Sequence, residues 1–487
     1  MYPDVCEAGV DAARHYVEYG AAEARNPSPH FDGNYYLDQH PDVRRAGQNP
    51  LVHYLTHGLV EGRRSRSIFD ALFGDQASRA AVTVTPTESP SAMAPRGVSR
   101  RFGVNFFGPV TIASGLGSAG RGYLAALARA KVLTRVVPIV EGFQHQRQLQ
   151  YPIAAPSKEP FALTLMHLNA DTTSLALRLF PEEFSEHRYR IGLWVWELAA
   201  LPAGWHSYIQ CYDEIWVPSN FCQRAVAAQT CRPVVVTPYL VENNSPLDRS
   251  LRQEMGFQED TFVFLYMFDA SSYLSRKNPE LLLEAFVDEF GDNPNVALLL
   301  KVSYTDYAGP EFNVFSRRCI GRPNVIIIED VVEQGGVARL IDAADCYVSP
   351  HRSEGFGLTI AEAMSRGRPV IATDYSGPSD YLSEANGYPL GYKLVEITQD
   401  LGPYANGHVW ADPNKRHLQT LMRRVATHRE EALAKGAAAL QTIKKRFSEA
   451  AVSTILQARL QQVWPLRGVP FRWPSVRGRA KHSFALF

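Results

Sequence analysis

Short apolar runs, each followed by a turn and then by a segment of helical periodicity, recur between residues 102 and 463. This alternation predicts buried parallel strands joined by helices, which is an α/β architecture. Ser219 follows one of these apolar runs and is predicted to be the N-cap of the next helix. The predicted strands lie at 102–108, 161–168, 213–219, 233–239, 262–267, 296–300, 324–328, 346–350 and 369–373.

The first 75 residues repeat themselves at an offset of 38. His15-Tyr16 matches His53-Tyr54, and Gly20 matches Gly58. A fixed period of this length marks a repeated supersecondary unit, and each unit has the pattern of a helix that ends at the glycine, a turn and a second helix. The sequence therefore predicts a small all-α repeat domain, whose shared His and aromatic residues pack between the units.

The remaining boundaries follow from shifts in composition and periodicity. A stretch rich in Ala, Ser, Thr and Pro predicts a flexible linker. Two Rossmann-like segments and a long helical segment follow. The predicted divisions are the repeat domain at 1–75, the linker at 76–101, a first Rossmann-like domain at 102–242, a second at 243–440, a crossover helix at 441–463 and a basic aromatic tail at 464–487.

Composition excludes several classes of protein. Lys plus Arg and Asp plus Glu are 50 each among 487 residues, so no net charge points to nucleic acid. The six cysteines form no Cys-x2-Cys pair, which argues for a reducing compartment and against a zinc site. Without an apolar run long enough to span a membrane, we expect a cytoplasmic protein. The tail has five Lys or Arg and no acid, which predicts either peripheral contact with an anionic membrane or a disordered end.

One stretch, residues 346–367, combines an apolar strand, a glycine-containing turn and a helix. Glu354 lies in the turn and Glu362 lies inside the helix. The backbone N–H groups at the start of such a helix favour an anion such as phosphate. Carboxylates repel phosphate but accept hydrogen bonds from hydroxyls. A phosphate with hydroxylated groups on both sides is a nucleotide sugar, which is the ligand that this stretch predicts.

The same stretch resembles the signature of the retaining GT-B glycosyltransferases of family 4, and the resemblance extends over residues 102–463. It implies two Rossmann-like domains that face a cleft, the first for the acceptor and the second for the donor. The resemblance implies that Glu354 is a catalytic residue. The residues of this stretch that it implies bind the donor are Glu354, Gly355, Phe356, Gly357, Leu358 and Glu362.

The resemblance implies transfer of a sugar from a GDP- or UDP-linked donor to a glycan or lipid-linked oligosaccharide acceptor, with retention of configuration. By analogy the pathway is the synthesis of bacterial surface polysaccharide, such as O-antigen, capsule or lipopolysaccharide, at the inner face of the membrane. Because the sequence has no Asp-x-Asp, we expect no metal and no cofactor.

Cations in the second domain are candidates to bind the diphosphate. Arg276 and Lys277 open a helix, where two cations neutralise a diphosphate, and the resemblance implies that such a pair stabilises the leaving nucleoside diphosphate. Many family members carry the Arg several residues earlier, where this chain has Asp269-Ala270-Ser271. Lys301, at a strand end, is a further candidate. Val331 lies in the loop that, in this family, contacts the base.

The first domain supplies the other candidates. Gly115 and Gly117 belong to a glycine-rich loop without dinucleotide spacing, which argues against a nicotinamide cofactor. The resemblance implies that this loop faces the donor phosphate or the acceptor. His167, at a strand end, either reaches the donor sugar or caps the next helix. The acceptor-side candidates are Asn169, Glu197 as an acid or base, and Trp196, which either stacks on a sugar or belongs to the core.

Two other functions remain open at this stage. One is a phosphorylase-like or sugar-synthase enzyme with the same fold. The other is a catalytically weak scaffold that binds a glycan or lipid carrier through the N-terminal repeat. The intact pair Glu354 and Glu362 argues against the scaffold.

Overall fold

The computed structural model describes residues 15–16, 19, 23, 33, 36–37, 40–58, 99–143, 148–151, 160–184, 188–241, 245–329 and 334–466. It forms two compact units, Met1–Pro95 and Arg96–Phe487. Most of the predicted repeat and linker and nearly all of the basic tail lie outside the described residues, so the predictions made for them stay predictions.

The described part of the first unit is helical. It contains α1 (Pro41–Arg45), α2 (Pro50–His53) and a π-helical turn that ends at Gly58. Asn49 caps α2, because its side chain accepts hydrogen bonds from the backbone N–H groups of Leu51 and Val52. Tyr36 is fully buried, and its hydroxyl lies 3.0 Å from His53 Nδ1. His53 therefore packs against Tyr36 within the first compact unit.

The second unit opens with a parallel sheet of order β2-β1-β3-β4-β5-β6. Its central strand β3 is buried along its whole length, as its apolar sequence predicts. The strands are β1 (Ser99–Gly108), β2 (Leu133–Pro138), β3 (Phe161–Met166), β4 (Tyr189–Leu193), β5 (Glu214–Val217) and β6 (Val234–Val236). The helices are α3 (Gly115–Arg129), α4 (Thr173–Leu179), α5 (His206–Ile209) and α6 (Asn220–Ala227). Ser219 caps α6, as predicted.

A second parallel sheet has the order β12-β11-β10-β7-β8-β9. Its strands are β7 (Phe262–Asp269), β8 (Val296–Ser303), β9 (Val325–Glu329), β10 (Cys346–Ser349), β11 (Val370–Thr373) and β12 (Tyr388–Leu390). Its helices are α7 (Ser250–Glu254), α8 (Leu274–Lys277), α9 (Pro279–Phe290), α10 (Pro310–Cys319), α11 (Gln334–Ala343), α12 (Leu358–Ser365) and α13 (Lys415–Thr427). The two sheets with their helices confirm the predicted α/β class with two Rossmann-like domains.

An antiparallel hairpin, which the sequence did not predict, follows β12. Its strands are β13 (Tyr392–Glu396) and β14 (Val409–Pro413), and we call residues 397–408 between them the strap. Ile397 and Tyr404 of the strap are buried in an apolar cluster whose other members include Trp196 and Trp205 of the first domain. The hairpin therefore completes part of the core of the first domain.

The last two long helices are α14 (Arg429–Phe447) and α15 (Glu449–Val463), separated at Ser448, which caps α15. Helix α15 packs against α3 of the first domain, and Arg459 forms an ion pair with the fully buried Glu214 of β5. The end of the described chain thus lies on the first domain. In the part of the chain that the structure describes, none of the helices combines the length and apolar character needed to cross a membrane.

Candidate active site

The turn between β10 and α12, residues 350–357, is the centre of the site, and we call it the Glu354 turn. It ends at Gly357, the N-cap of α12, whose φ of +79° is a left-handed value. A Cβ there would lie 2.9 Å from Pro378 Cγ, so conformation and space both require glycine. Because glycine has no capping side chain, the first N–H groups of α12 remain suited to an anion.

Hydrogen bonds fix the backbone of the Glu354 turn. The Glu354 N–H donates to Ser376 Oγ at 2.8 Å, and the Glu354 carbonyl accepts from the Gly377 N–H at 2.8 Å. The Tyr381 hydroxyl donates to the Phe356 carbonyl at 2.7 Å. The Phe356 side chain itself is buried against Tyr239 and other rings, so only its backbone is suited to contact a ligand.

The first domain touches the other side of this turn. Ser219 Oγ donates to the Gly355 carbonyl at 2.6 Å, and a Cβ on Gly355 would overlap the side chain of Val195. Ser353 Oγ donates to the Glu197 carbonyl. Glycine at 355 is therefore required by the close approach of the two domains, and the Glu354 turn lies at their junction.

Two cations at the end of α8 neutralise Glu354. Lys277 Nζ lies 2.5 Å and Arg276 Nη1 lies 3.3 Å from Glu354 Oε1. Burial alone would raise the pKa of the Glu354 carboxyl, but the two cations outweigh burial and lower it to about 2. Burial and the neighbouring Arg276 lower the pKa of Lys277. Glu354 is thus a carboxylate at any working pH.

Arg276 has many partners within the protein. Its side chain is only 3% exposed, and its Nη1 donates to the Ser353 carbonyl at 3.0 Å. Its Nη2 lies 3.9 Å from Glu197 Oε1 of the first domain. Of the two predicted cations, Lys277 is the more exposed, so Lys277 is the better placed to contact a diphosphate directly.

Glu362 lies on α12, about one helical turn beyond the start of the helix. Burial raises the pKa of its carboxyl to about 7, against the opposing charges of Lys301 and Arg121. Lys301, on β8, is buried and donates to Ser303 Oγ. The structure therefore brings together the predicted residues Glu362 and Lys301.

Arg121 is a site residue that the sequence analysis missed. It lies on α3 of the first domain, is 8% exposed, and its Nη1 donates to the Val110 carbonyl at 2.9 Å and the Ile112 carbonyl at 3.1 Å. Its charge acts on Glu362 of the second domain. The signal available in the sequence was a cation among the small and apolar residues of the glycine-rich first turns of α3.

Gly115 and Gly117 were predicted to lie in a loop, but they form the first turn of α3, and the residues just before this helix lie between the domains. The Tyr304 hydroxyl of the second domain donates to the Ala113 carbonyl at 2.6 Å. A Cβ on Gly117 would overlap the Ile112 carbonyl, so this glycine serves close backbone packing. A Cβ on Gly115 would meet no atom within 4 Å, so of these two glycines only Gly115 borders open space.

His167 is deeply buried at the end of β3. It is 1% exposed, and its ring lies against Phe106, Tyr123 and Tyr239. Burial lowers the pKa of its imidazole to about 3, so the ring is neutral near pH 7. Its Nδ1 has no hydrogen-bond partner within the described protein, and no capping bond from its side chain is present there.

The three acceptor-side candidates have different surroundings. Asn169 Oδ1 accepts from the Val195 N–H at 2.9 Å and so orients the loop after β4. Glu197 in that loop accepts from the Tyr404 hydroxyl at 3.3 Å and faces Arg276, which places it beside the cations. Trp196 is 2% exposed and its Nε1 donates to the Ala200 carbonyl, so it is a core residue and offers no ring face to a sugar.

Val331 lies outside the described residues, so its predicted contact with the base stays a prediction. Among the described residues no group of three His, Cys, Asp or Glu side chains is arranged to hold a metal ion. The described site consists of a permanently ionised carboxylate with two cations, an uncapped helix start and a second carboxylate that titrates near neutral pH. Such a set can bind a phosphate between two hydroxylated groups.

Comparisons with known proteins agree with this chemistry. Residues 262–396 match the family model described as glycosyl transferases group 1. The alpha-1,3/1,6-mannosyltransferase ALG2 of Kluyveromyces lactis is 23% identical over 283 residues, covering 49% of this chain and 54% of that protein. Sucrose synthases and D-inositol 3-phosphate glycosyltransferases match over shorter segments. The chain spans about half or less of the length of these relatives.

Solved structures show the same fold. Sucrose-phosphate synthase from Thermosynechococcus elongatus superposes with a TM-score of 0.56 at 15% identity, covering 75% of this chain and 100% of that one. Anabaena Alr3699/HepE in complex with UDP-glucose gives a TM-score of 0.54 at 17% identity, covering 74% and 100%. These superpositions confirm the predicted two-domain fold, and the match of residues 262–396 to the glycosyl transferases group 1 model supports the predicted resemblance to that family.

Proposed function

We propose that this GT-B chain transfers a sugar from a nucleotide diphosphate sugar to a hydroxyl of a glycan or lipid-linked acceptor, with retention at the anomeric carbon. The observation that carries the proposal is the pair of Lys277 and Glu354 at the uncapped start of α12, with Glu362 about one turn further along the same helix. This spacing fits a diphosphate between a sugar and a ribose.

Catalysis in this proposal is the stabilisation of the leaving diphosphate. As the bond between the anomeric carbon and the diphosphate oxygen breaks, the electron pair leaves with the phosphate and positive charge develops on the sugar ring. The acceptor hydroxyl then bonds to the anomeric carbon from the same face, and its proton passes to the departing phosphate oxygen. Lys277 and the first N–H groups of α12 face the developing negative charge. Arg276, buried behind them, adds to the positive field without needing a direct contact.

The two carboxylates bind hydroxyls in this proposal. Glu354, ionised at all working pH values, accepts hydrogen bonds from the donor sugar. Glu362 accepts hydrogen bonds from the ribose, and binding favours its ionised form near pH 7. His167 is assigned to the donor sugar by resemblance alone, and as a neutral imidazole it would serve as a hydrogen-bonding group and not as an acid.

A uridine or guanosine nucleotide is proposed for the donor. Alr3699/HepE has the same fold and was solved in complex with UDP-glucose, which supports a uridine nucleotide. The similarity to a mannosyltransferase is the reason to retain GDP-linked sugars as candidates. Catalysis without a metal ion is also proposed. The cellular role, assembly of surface polysaccharide at the inner membrane face in the cytoplasm, rests on analogy with relatives and on the basic tail.

The test is the release of nucleoside diphosphate from UDP-glucose and from GDP-mannose in the presence of a glycan or lipid-linked oligosaccharide acceptor, with and without EDTA. We expect release with one donor, unchanged by EDTA, and a product whose anomeric proton in the NMR spectrum has the configuration of the donor. Release abolished by EDTA would contradict metal independence, an inverted product would contradict retention, and no release with either donor would contradict the choice of donors.

The sugar-synthase alternative is supported by the matches to sucrose synthases. It predicts that the reaction runs readily backwards, so that added UDP and a glycoside product give UDP-glucose. A phosphorylase would instead require inorganic phosphate as the nucleophile. Turnover that does not change with phosphate and does not reverse would favour the proposed transferase.

A further inference from the structure

The strap of residues 397–408 belongs to the second domain by sequence, but some of its side chains are buried in the core of the first domain. Tyr404, at 3% exposure, packs with its ring centroid 5.5 Å from that of Trp196. Ile397 is buried in the same apolar cluster. Apolar burial of this kind holds a segment firmly, because withdrawing it would expose both side chains to water.

Tyr404 contacts a charged residue from each domain. Its hydroxyl donates to Glu197 Oε2 of the first domain at 3.3 Å. Its ring centroid lies 5.9 Å from the guanidinium carbon of Arg276 of the second domain, within the range of a cation–π interaction. Burial raises the pKa of the Tyr404 hydroxyl well above its usual value, so the group remains a donor.

The hairpin that carries the strap also fastens the Glu354 turn. The Ala411 N–H of β14 donates to the Arg352 carbonyl at 2.9 Å, and Arg352 Nη1 lies 2.8 Å from Asp412 Oδ1. The Arg352 guanidinium lies 5.5 Å from the ring centroid of Trp410. The hairpin therefore contacts the Glu354 turn through β14 and contacts Arg276 through Tyr404 of the strap.

The path of the strap is fitted to the start of α8. Gly402 has a φ of +58°, and a Cβ at this position would overlap the Tyr273 hydroxyl. Tyr273 directly precedes α8, which carries Arg276 and Lys277, and its ring lies 5.3 Å from that of Tyr404. The strap thus packs against the helix that supplies both cations.

We infer that Tyr404 is a positioning residue, which holds Glu197 and Arg276 so that Arg276 and Lys277 together fix the Glu354 carboxylate. The cation cluster is then complete only when the strap is seated across both domains. The catalytic consequence of this inference rests on the proposed function, whereas its structural consequence does not.

The test compares Tyr404→Phe, which removes only the hydroxyl, with Tyr392→Phe as the matched control. Tyr392 lies on β13 of the same hairpin and is 40% exposed. The first readout is hydrogen exchange of the backbone amides of Arg352 and Glu354, which needs no substrate. We expect faster exchange in Tyr404→Phe and no change in the control.

The second readout is turnover of UDP-glucose and GDP-mannose. We expect Tyr404→Phe to lower kcat about tenfold while the dissociation constant for the nucleoside diphosphate stays within about twofold of the parent value. A general loss of structure would change both quantities together. Glu197→Gln should give the same loss of kcat, and the double variant should lose little more, because both changes break one arrangement.

Exchange rates and kcat equal to those of Tyr392→Phe would overturn the inference. A parent protein that releases no nucleoside diphosphate from either donor would contradict the proposed donors alone, because the exchange measurement still decides whether Tyr404 holds the Glu354 turn. Equal losses of nucleotide affinity and kcat would also count against a positioning role.

Discussion

The Glu354 turn and the helix face that carries Glu362 belong to one short stretch of sequence, yet they present opposite environments. Glu354 touches Lys277 and Arg276, and its pKa is lowered to about 2. Glu362 is half-buried, but the charges of Lys301 and Arg121 do not outweigh the desolvation of its carboxyl, and its pKa rises to about 7. The same residue type therefore carries a fixed charge at one position and a titratable charge at the other.

The difference follows from the distance of the cations. Lys277 is in direct contact with Glu354, where a charge-assisted hydrogen bond is strongest. Arg121 uses its Nη1 on the carbonyls of Val110 and Ile112, so only its longer-range field acts on Glu362. A fixed charge suits a group that acts in every turnover. In the proposed function, the group with the titratable charge is the one that binds the ribose.

The largest expected effect is on turnover. Glu354→Gln should lower kcat by roughly a hundredfold to a thousandfold, because Lys277 and Arg276 lose the charge that orients them and the donor sugar loses an acceptor. Steady-state release of nucleoside diphosphate measures this. The exposed Glu384→Gln is the control and should leave kcat unchanged. A loss under threefold in Glu354→Gln would remove Glu354 from the mechanism.

The next effect is a pair of opposite pH dependences of the free energy of unfolding. The pKa of Glu354 is lowered from 4.5 to about 2, so its contribution is present above about pH 4.5 and is lost as the pH falls toward 2. The pKa of Glu362 is raised from 4.5 to about 7, so stability is lost as the pH rises from 4.5 to 7. Each change should amount to about 3 kcal/mol.

Urea denaturation at several pH values, with the parent compared to Glu354→Gln and Glu362→Gln, isolates each contribution. Relative to the parent, Glu362→Gln should gain stability as the pH rises above 4.5. Glu354→Gln should be less stable than the parent near neutral pH, and this difference in the free energy of unfolding should disappear as the pH falls toward 2. Parallel curves for the two variants would show that the two carboxylates do not differ in environment.

A smaller effect is expected at the glycine that separates the two regions. Gly357→Ala should destabilise the protein by about 2 kcal/mol, because φ is +79° and the new Cβ would press on Pro378. Gly321→Ala is the matched control, since Gly321 has a φ of +84° with nothing within 4 Å and should show only the conformational part. Equal losses measured by urea denaturation would show that contact with Pro378 contributes nothing.

The smallest expected effect is on nucleotide affinity. Glu362→Gln should weaken binding of the nucleoside diphosphate about tenfold, the loss of one charged hydrogen bond, while kcat at saturating donor changes little. Isothermal titration calorimetry measures the affinity. If Glu362→Gln lowers kcat but leaves the affinity for the nucleoside diphosphate unchanged, the roles assigned to Glu354 and Glu362 must be exchanged.

Much of the fold was predictable because buried parallel strands carry runs of apolar residues, as β3 and β8 do. The Glu354 turn was also predictable, since its glycines are fixed by local conformation and close approach. Strand β2 escaped prediction because it is a half-exposed edge strand with a mixed pattern. Strand β13 of the later hairpin is likewise mostly exposed.

The site residues that escaped prediction are defined by contacts between distant segments. Tyr404 acts on Glu197, more than two hundred positions away, and no local pattern marks such a pair. Arg121 likewise interacts electrostatically with Glu362 of the other domain, which is far away in the sequence. The sequence placed Trp196 equally well in a sugar site or in the core, because burial of an aromatic ring is decided by its neighbours.

The most direct test of the central claim is a thermal-shift panel with UDP, GDP, ADP, CMP and dTDP on the parent, Glu354→Gln and Glu362→Gln. One nucleoside diphosphate should raise the midpoint of the parent, since a ligand at a hundredfold excess over its dissociation constant stabilises by about 2.7 kcal/mol. Glu354→Gln should keep most of that shift and Glu362→Gln should lose much of it. No shift with any of the five, or equal shifts in all three proteins, would contradict a nucleotide site built on these two carboxylates.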